Sequence, residues 1–254
     1  MTETLTIAVP SKGRLMEETS KYFRDRGLNI QKIGHDRGYQ GEIEGYDDVD
    51  IVYLSASEIA YQLKTGQIHM GITGEDLVRE NIIGADERVE FMKKLGFGQA
   101  DVVVAVPDCW LDVRTTADLE EMAREFRRHH SRRLKVATKY MNLTRQYFIK
   151  KAVAGYRIVE SLGATEGTPM GGTADLIVDI TSTGETLQAN HLRILEDGVI
   201  LKSEANLIAS RTAEWGGGAA EVRLDIMKKL DMQIEGEEPE TVEPDSTTSD
   251  TAEK

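Results

Sequence analysis

The sequence predicts an α/β protein built on largely parallel sheets. Short apolar segments rich in β-branched residues alternate with longer amphipathic segments through residues 5–230, an order typical of strands joined by helices. Several short segments, such as 101–106 (Asp-Val-Val-Val-Ala-Val), are apolar on both faces, as expected when helices cover both sides of a sheet. The sequence contains no repeat at a fixed period.

Eight segments predict strands because they are short, apolar and bounded by polar or glycine-containing turns. They are Leu5–Val9, Asp50–Leu54, Ile68–Ile72, Ala100–Val106, Lys135–Thr138, Arg157–Glu160, Asp175–Ile180 and Leu207–Ser210. Seven segments predict helices because their apolar residues recur three or four positions apart. They are Met16–Arg26, Ser57–Thr65, Asp76–Asn81, Thr116–His129, Leu143–Ala154, Glu185–Asn190 and Ala219–Leu230.

Two places in the chain are candidates for passages between domains. Leu95–Gln99 carries two glycines between strand-like segments, and a second passage is expected after the helix that ends near Asn190. The organisation predicts a discontinuous domain I of residues 1–96 and 188–232, which encloses domain II of residues 97–187. The site is then expected in the cleft between the two domains.

The negative charge of the chain is concentrated near its C-terminal end. The 254 residues carry a net charge of −13, and residues 235–254 hold eight acids and one lysine. We predict that residues 233–254 are disordered, because they have almost nothing apolar to bury. The acidity of the remaining chain argues against a general nucleic-acid binder, which needs a surplus of Lys and Arg.

The composition also predicts the compartment. No apolar stretch is long enough to span a membrane, and the first residues lack the pattern of a secretory signal. The single cysteine, Cys109, cannot form an internal disulfide, which fits a reducing compartment. We therefore expect a cytoplasmic protein.

The segment 174–187 (Ala-Asp-Leu-Ile-Val-Asp-Ile-Thr-Ser-Thr-Gly-Glu-Thr-Leu) is the most informative in the chain. An apolar strand delivers Asp179 to its carboxyl end, small polar residues follow, and a helix begins near Glu185. Backbone N–H groups at such a turn bind phosphate, and Gly184 allows close approach or a positive φ. A carboxylate before the turn suits a ribose diol or a Mg²⁺-bound water. The alternative is an ordinary capped turn.

Three further strand-to-helix turns are polar. Residues 9–15 (Val-Pro-Ser-Lys-Gly-Arg-Leu) place Lys12 and Arg14 beside a glycine, where two cations suit a pyrophosphate or triphosphate. Residues 71–76 (Gly-Ile-Thr-Gly-Glu-Asp) hold two glycines, and residues 137–147 continue from Thr138 and Lys139 to Asn142, which is predicted to cap a helix. Each could be a capping loop with solvated charges, but four such turns in one chain favour a phosphate-rich ligand.

Other kinds of chemistry find no support in the sequence. The five histidines and Cys109 lack the spacing of a metal site, and no Ser-His-Asp, Cys-His, Walker A or Gly-x-Gly-x-x-Gly pattern is present. The basic segment 124–133 is typical of a solvated helix end. No protein-held metal is therefore expected.

Over residues 5–230 the chain resembles the ATP phosphoribosyltransferase family, which begins histidine biosynthesis. The resemblance is carried in order by I-A-V-P-S-K-G-R-L, by G-I-T-G-E-D, by V-A-T-K-Y-x-N-L-T-R-x-Y-F, and by the stretch G-A-T-E-G-T-P-M-G-G-T-A-D-L-I-V-D-I-T-S-T-G-E-T-L. It implies two α/β domains with a central cleft, similar to type II periplasmic binding proteins. It also implies transfer of the phosphoribosyl group of phosphoribosyl pyrophosphate (PRPP) to N1 of ATP, with release of pyrophosphate.

The resemblance also implies roles for individual residues. PRPP would be bound by Asp179, Thr181, Ser182, Thr183, Gly184, Glu185 and Thr186. ATP would be bound by Lys12, Gly13, Arg14, Gly74, Glu75, Thr138, Lys139 and Asn142. The residues expected to act in catalysis are Lys12, Arg14, Glu166 and Asp179, with a Mg²⁺ ion held by the substrates.

The chain departs from the family pattern in two places, and its length implies a partner. Ser55–Glu58 stands where many members carry Arg-Pro-x-Asp, so one cation contact is not carried over, and Met141 replaces a usual proline. The body ends near Leu230, which suggests the short form of the family. That form implies a homodimer within a hetero-oligomer that includes a histidyl-tRNA-synthetase-like regulatory subunit.

Three alternatives stay open on the sequence alone. They are a solute-binding protein with the same cleft, a phosphoribosyltransferase that acts on another base, and a regulatory paralogue without turnover.

Overall fold

The computed structural model describes residues 4–34 and 38–230, and within these ranges the chain forms two mixed α/β lobes. The strands are β1 (Leu5–Pro10), β2 (Ile30–Lys32), β3 (Gln40–Ile43), β4 (Tyr46–Leu54), β5 (Met70–Gly74), β6 (Val89–Lys94), β7 (Ala100–Pro107), β8 (Leu134–Thr138), β9 (Tyr156–Glu160), β10 (Leu176–Thr181), β11 (Leu192–Ser203) and β12 (Ala205–Ser210). The α-helices are α1 (Gly13–Arg24), α2 (Ala56–Thr65), α3 (Glu75–Asn81), α4 (Ala85–Arg88), α5 (Thr116–His130), α6 (Met141–Lys150), α7 (Glu185–Ala189) and α8 (Gly217–Lys229).

The first lobe is organised around a sheet of seven strands in the order β2-β3-β4-β1-β5-β12-β6. Strand β1 is parallel to both β4 and β5, so the carboxyl ends of these three strands meet at one edge. Strand β12 is buried along its whole length and lies antiparallel between β5 and β6. Helix α8 packs against β1 and β4, and its Ile226 joins the core of the lobe.

The second lobe is organised around a sheet of five strands in the order β11-β7-β10-β8-β9. Strand β8 is parallel to β9 and to β10, whereas β7 is antiparallel to β10 and β11. Its core is formed from β-branched residues of β7 and β10 together with Phe148 of α6 and Leu119 of α5.

The predicted α/β class with two domains is confirmed, but the prediction of largely parallel sheets is wrong. Most strand pairs of the two sheets are antiparallel. Apolar character on both faces indicated burial correctly, but burial does not determine strand direction. Strand β7 is buried over Val102–Val106 and is nevertheless antiparallel to both neighbours.

Two adjacent connections join the lobes. The chain leaves the first sheet through Leu95–Gln99 and returns at Glu204, between β11 and β12. The backbone N–H of Leu95 donates to the carbonyl of Ala205, and the N–H of Ala205 donates to the carbonyl of Phe97. The outgoing passage lies where the glycines of residues 95–99 predict it. The return lies at Glu204 rather than after the helix that ends near Asn190, because β11 remains in the second sheet.

Strand β11 has no clean strand pattern in the sequence, because Glu196-Asp197-Gly198 interrupts its apolar residues. In the structure its pairing with β7 shifts between Ile194 and Val199 and again between Val199 and Leu201, and such bulges absorb extra residues. Strands β2, β3 and β6 were also not predicted. The expected disorder of residues 233–254 lies outside the described residues.

None of the helices in the described part of the chain has both the length and the hydrophobicity needed to cross a membrane.

Candidate active site

The carboxyl ends of β8 and β10 lie side by side in the second lobe. Their parallel register pairs Leu176 with Val136 and Ile177 with Ala137. The residues that follow β8 are therefore brought next to Asp179, near the end of β10. The predicted turns at 138–142 and 179–186 consequently border the same edge of the sheet.

The Asp179–Thr186 loop is closed by its own hydroxyl groups. The backbone N–H of Gly184 donates to Thr181 Oγ1 at 2.8 Å, and Ser182 Oγ donates to the carbonyl of Gln99 at 2.8 Å. Gly184 has φ +82°, and a Cβ built there would meet no atom within 4 Å. The left-handed conformation favours glycine here, and the loop leaves open space where a side chain would project.

The loop borders a cavity of about 360 Å³. The cavity is lined by Glu166, Asp179, Ile180, Thr181, Ser182, Thr183, Thr186 and Leu187. Most of the predicted PRPP residues therefore surround one space, and Glu166 faces the same space from a short 3-10 helix, Thr165–Gly167. Gly184 and Glu185 belong to the loop but do not line this cavity.

The electrostatics of Asp179 reflect its position. Burial raises the pKa of this carboxyl above its ordinary value, and the negative charge of Glu166 raises it further. The backbone N–H of Ile180, the charge of Lys139 and a hydrogen bond with Thr165 act in the opposite direction. Two carboxylates that share a small cavity repel one another, so the site favours a ligand that brings positive charge or hydroxyl donors.

The loop can bind an anion through its backbone N–H groups rather than through a helix dipole. Helix α7 has only five residues, so its macrodipole is small. Within the described residues, the backbone N–H groups of Ser182, Thr183 and Thr186 donate to no protein acceptor. Free N–H groups beside serine and threonine hydroxyls suit a phosphate.

The second group of predicted residues lies at the start of α1, at the carboxyl end of β1. Lys12 occupies the N-cap position without making a side-chain cap, and the first turn of the helix holds no acidic residue. Gly13 has φ +73°. Arg14 pairs with Glu18 at 2.9 Å, but its side chain is 85% exposed. This helix start therefore combines two exposed cations with uncapped N–H groups.

The connection Leu95–Gln99 contacts both groups of predicted residues, the start of α1 and the Asp179–Thr186 loop. A Cβ at Gly98 would lie 3.0 Å from Cδ1 of Leu15 in α1. The next residue, Gln99, accepts the hydrogen bond from Ser182 in the second lobe. The start of α1 and the Asp179–Thr186 loop thus both adjoin the segment Leu95–Gln99, although Lys12 and Arg14 do not line the Asp179 cavity.

Gly74 and Glu75 are held by local contacts. A Cβ at Gly74 would lie 2.3 Å from Oδ1 of Asp76, so a larger residue here would displace that carboxylate. Oε1 of Glu75 accepts from Nε of Arg79 at 2.6 Å. Both residues therefore serve the first turn of α3 in this structure.

The turn that follows β8 differs from its prediction. Asn142 does not cap α6, because the helix begins at Met141 after Tyr140, and the predicted cap is wrong. The side chain of Asn142 instead donates to the carbonyl of Glu80. Thr138 is buried, and its Oγ1 accepts from the N–H of Tyr140. Lys139 is exposed and acts electrostatically on Asp179.

The structure adds four residues that the sequence did not single out as functional: Asp76, Glu80, Tyr140 and Ser203. All four are buried, and their hydrogen bonds cross between the lobes. Asp76 and Tyr140 both lie inside turns that were recognised as polar. Nothing in a single sequence indicates that these two turns meet.

Ser55 accounts for one departure from the family pattern. Its Oγ accepts from the backbone N–H of Glu58 at 3.3 Å and caps α2. The helix therefore starts normally without the arginine and proline that many family members carry there.

A family model described as ATP phosphoribosyltransferase matches residues 55–232. An ATP phosphoribosyltransferase from Nitrobacter winogradskyi is 59% identical over 230 residues, which cover 91% of this chain and 71% of that protein. An ATP phosphoribosyltransferase from Sinorhizobium medicae is 59% identical over 215 residues, which cover 84% of this chain and 93% of that protein.

Solved structures share the two-lobed fold. An ATP phosphoribosyl transferase (HisG:HisZ) complex from Thermotoga maritima aligns with a TM-score of 0.68 at 23% identity, over 90% of this chain and 96% of the other. A histidine kinase sensor domain with similarity to periplasmic binding proteins aligns with a TM-score of 0.50 at 11% identity, over 90% and 89%. The predicted likeness to periplasmic binding proteins is therefore confirmed at the level of the fold.

Proposed function

Because this chain belongs to the ATP phosphoribosyltransferase family of histidine biosynthesis, we propose that it performs the family reaction at the cleft edge formed by α1 and the Asp179–Thr186 loop. The substrates are PRPP and ATP, and the products are N1-(phosphoribosyl)-ATP and pyrophosphate. The observation that carries the proposal is the cavity in which Asp179 and Glu166 face the hydroxyl-rich loop.

PRPP binds through its ribose and its 5′-phosphate. The carboxylate of Asp179 accepts hydrogen bonds from the ribose hydroxyls. Its position directly before the loop, in the wall of the cavity, supports this role. The phosphate accepts hydrogen bonds from the backbone N–H groups of Ser182, Thr183 and Thr186 and from the hydroxyls of Thr181, Thr183 and Thr186, with Gly184 and Glu185 shaping the turn. Lys139 offsets part of the negative charge that Asp179 and Glu166 bring to this side.

ATP and the pyrophosphate group are bound mainly from the first lobe. Lys12 and Arg14 are exposed at the start of α1 and contact the phosphate oxygens, while Gly13 permits close approach. The neighbouring turns are held by four further residues, Gly74, Glu75, Thr138 and Asn142. Hydrogen bonds of the last three support this role. This assignment makes the four residues supports of the ATP site rather than its principal contacts.

The chemistry rests on alignment and charge. N1 of the adenine attacks C1 of the ribose in line with the departing pyrophosphate, and the configuration at C1 is inverted. Lys12 and Arg14 stabilise charge on the leaving group, and Asp179 and Glu166 stabilise positive character on the ribose. No covalent intermediate with the protein is required.

The residues of this site fit a Mg²⁺ ion that is bound together with the substrates. Mg²⁺ prefers oxygen ligands and keeps several waters, and the cavity offers the carboxylates of Asp179 and Glu166 beside hydroxyl groups. When bound, the ion supplies positive charge that neutralises the pyrophosphate. The two carboxylates would hold its waters and orient PRPP.

An absorbance assay of the purified chain with ATP, PRPP and Mg²⁺ tests the function. Turnover that needs all three components is expected, and free purines in place of ATP should give none. Turnover with a purine base would favour a different phosphoribosyltransferase. Binding of PRPP without any turnover would favour a binding protein or a regulatory paralogue.

We further propose a regulatory partner and a compartment. The complex from Thermotoga maritima is named as a HisG:HisZ assembly, and the likeness of fold supports a similar hetero-oligomer here, with a synthetase-like subunit beside a homodimer of this chain. The cytoplasm is supported by Cys109, which is an exposed, free thiol.

A further inference from the structure

Glu80 caps a helix that belongs to the other lobe. It lies on α3 of the first lobe and is 8% exposed. Its carboxylate accepts from the backbone N–H of Asn142 at 3.0 and 3.1 Å and from that of Leu143 at 3.0 Å. Helix α6 has no side-chain cap at its own N-cap residue. Donors at a helix start need acceptors, and here the acceptor comes from across the lobe boundary.

Asp76 makes a second link one turn earlier on α3. Tyr140 Oη donates to Oδ2 of Asp76 at 2.8 Å, and Ser203 Oγ donates to Oδ1 at 2.8 Å. The N–H of Asp76 also donates to Ser203 Oγ at 3.0 Å. Ser203 ends β11 immediately before the return connection at Glu204. One carboxylate of the first lobe therefore binds two elements of the second lobe, the start of α6 and the end of β11.

These bonds depend on the relative position of the lobes. Asp76, Glu80 and Tyr140 are all buried, and a buried carboxylate or helix donor without a partner is costly. Moving α3 away from α6 would break the bonds of both acids at once. The observed arrangement of the lobes is therefore favoured over arrangements that separate these helices.

The segment held in this way borders the proposed PRPP site. Tyr140, Asn142 and Leu143 directly follow Lys139, whose charge acts on Asp179. Burial raises the pKa of the Tyr140 hydroxyl, and the negative charges of Asp76, Asp179 and Glu80 raise it further. The two acids of α3 are thus close enough to influence this edge of the site, although neither lines the Asp179 cavity.

We infer that Asp76 and Glu80 are positioning residues that fix the Thr138–Leu143 turn, and with it Lys139, relative to the phosphate-binding start of α1. The inference rests on the proposed function, in which the first lobe mainly binds ATP and the pyrophosphate group and the second lobe binds the ribose and 5′-phosphate of PRPP. Alignment of ATP with PRPP across the cleft would then depend on side chains that contact neither substrate. A displacement of about 1 Å in such an arrangement can cost about 100-fold in rate.

The test compares Glu80→Gln with Glu120→Gln. Glu120 is a matched control because its carboxylate also accepts backbone N–H groups, those of Ala154 and Gly155, but only within the second lobe. We expect Glu80→Gln to lower kcat at least tenfold, with KM for each substrate changed less than threefold. Both variants should lower Tm by a similar amount, because each weakens bonds to two backbone N–H groups. Glu120→Gln should nevertheless keep kcat within twofold.

A second variant and an exchange measurement make the test independent of stability. Tyr140→Phe removes only the bond to Asp76 and should also lower kcat. Hydrogen exchange should show faster exchange of Asn142 and Leu143 in Glu80→Gln than in the wild type. Wild-type kcat in both Glu80→Gln and Tyr140→Phe would overturn the inference, whatever the exchange rates.

The proposed function and the inference can fail separately. If the wild-type chain turns over neither substrate under any tested condition, the proposed function fails. The exchange experiment then decides the inference, and unchanged protection of residues 138–143 in Glu80→Gln would overturn it.

Discussion

Asp179 is held in a position that disfavours its own charge. Burial and the neighbouring Glu166 raise its pKa, yet the ionised carboxylate is the stronger acceptor for ribose hydroxyls. Because the folded-state pKa is raised, the ionised form of Asp179 lowers the stability of the fold relative to the protonated form. This combination is typical of a residue retained for function rather than for stability.

A pH series tests this reading of Asp179. The contribution of this carboxyl to stability is full below the unfolded pKa, about 3.9, and is lost as the pH rises through the higher folded-state pKa. We therefore expect Asp179→Asn to keep or raise Tm at pH 7 while raising KM for PRPP. In the wild type, KM for PRPP should rise as the pH falls through the raised pKa, and the variant should not show that rise. A wild-type pH profile in the variant would contradict the role.

Gly184 tests the loop itself against a matched glycine. Gly184 and Gly45 have φ of +82° and +86°, and a Cβ at either would meet nothing within 4 Å. Replacement by alanine should cost about 1–2 kcal/mol of stability at both, because of the left-handed backbone. Only Gly184→Ala should raise KM for PRPP, since Gly45 lies in the turn between β3 and β4 of the first lobe.

If both glycine variants left PRPP kinetics unchanged while lowering Tm equally, Asp179–Thr186 would be a structural turn only.

At the scale of elements, the sequence predicted the positions of the polar turns, because each lies where a strand, a polar turn and a helix follow in order. The Asp179–Thr186 loop can be recognised from the local sequence alone, because the strand, the polar turn and the helix are consecutive in the chain. The bulged β11 could not be predicted, because its strand character comes from pairing with β7. The contact between α3 and α6 was equally hidden, because Glu80 reads as an ordinary helix residue and its partners lie more than 60 positions away.

The start of α1 carries a prediction at this scale. Lys12→Ala and Arg14→Ala should each lower kcat/KM about 10- to 150-fold, the equivalent of losing a charged hydrogen bond of about 1.5–3 kcal/mol. Arg24→Ala provides the control, because Arg24 is an exposed cation in the last turn of the same helix. Steady-state kinetics with both substrates decides the matter. Equal, small effects in all three variants would make these cations solvated surface charges.

At the scale of the whole molecule, the proposed partner should act on the lobes together. A subunit that binds one arrangement of the lobes more tightly shifts the chain toward it. We expect activity of the chain alone to be low and weakly inhibited by histidine, and addition of a synthetase-like subunit to raise activity and create histidine sensitivity. Strong histidine inhibition of the chain alone would contradict this division of roles.

The position of β12 has a consequence for synthesis on the ribosome. β12 lies between β5 and β6, yet β6 ends at Lys94 and β12 begins only at Ala205. The first lobe cannot complete its sheet until residue 210 has emerged, whereas the five strands of the second lobe are complete at Ser203. The later-starting lobe should therefore fold first. A fragment of residues 97–204 is expected to unfold cooperatively on its own, and a fragment of residues 1–96 is not, as thermal denaturation followed by circular dichroism would reveal.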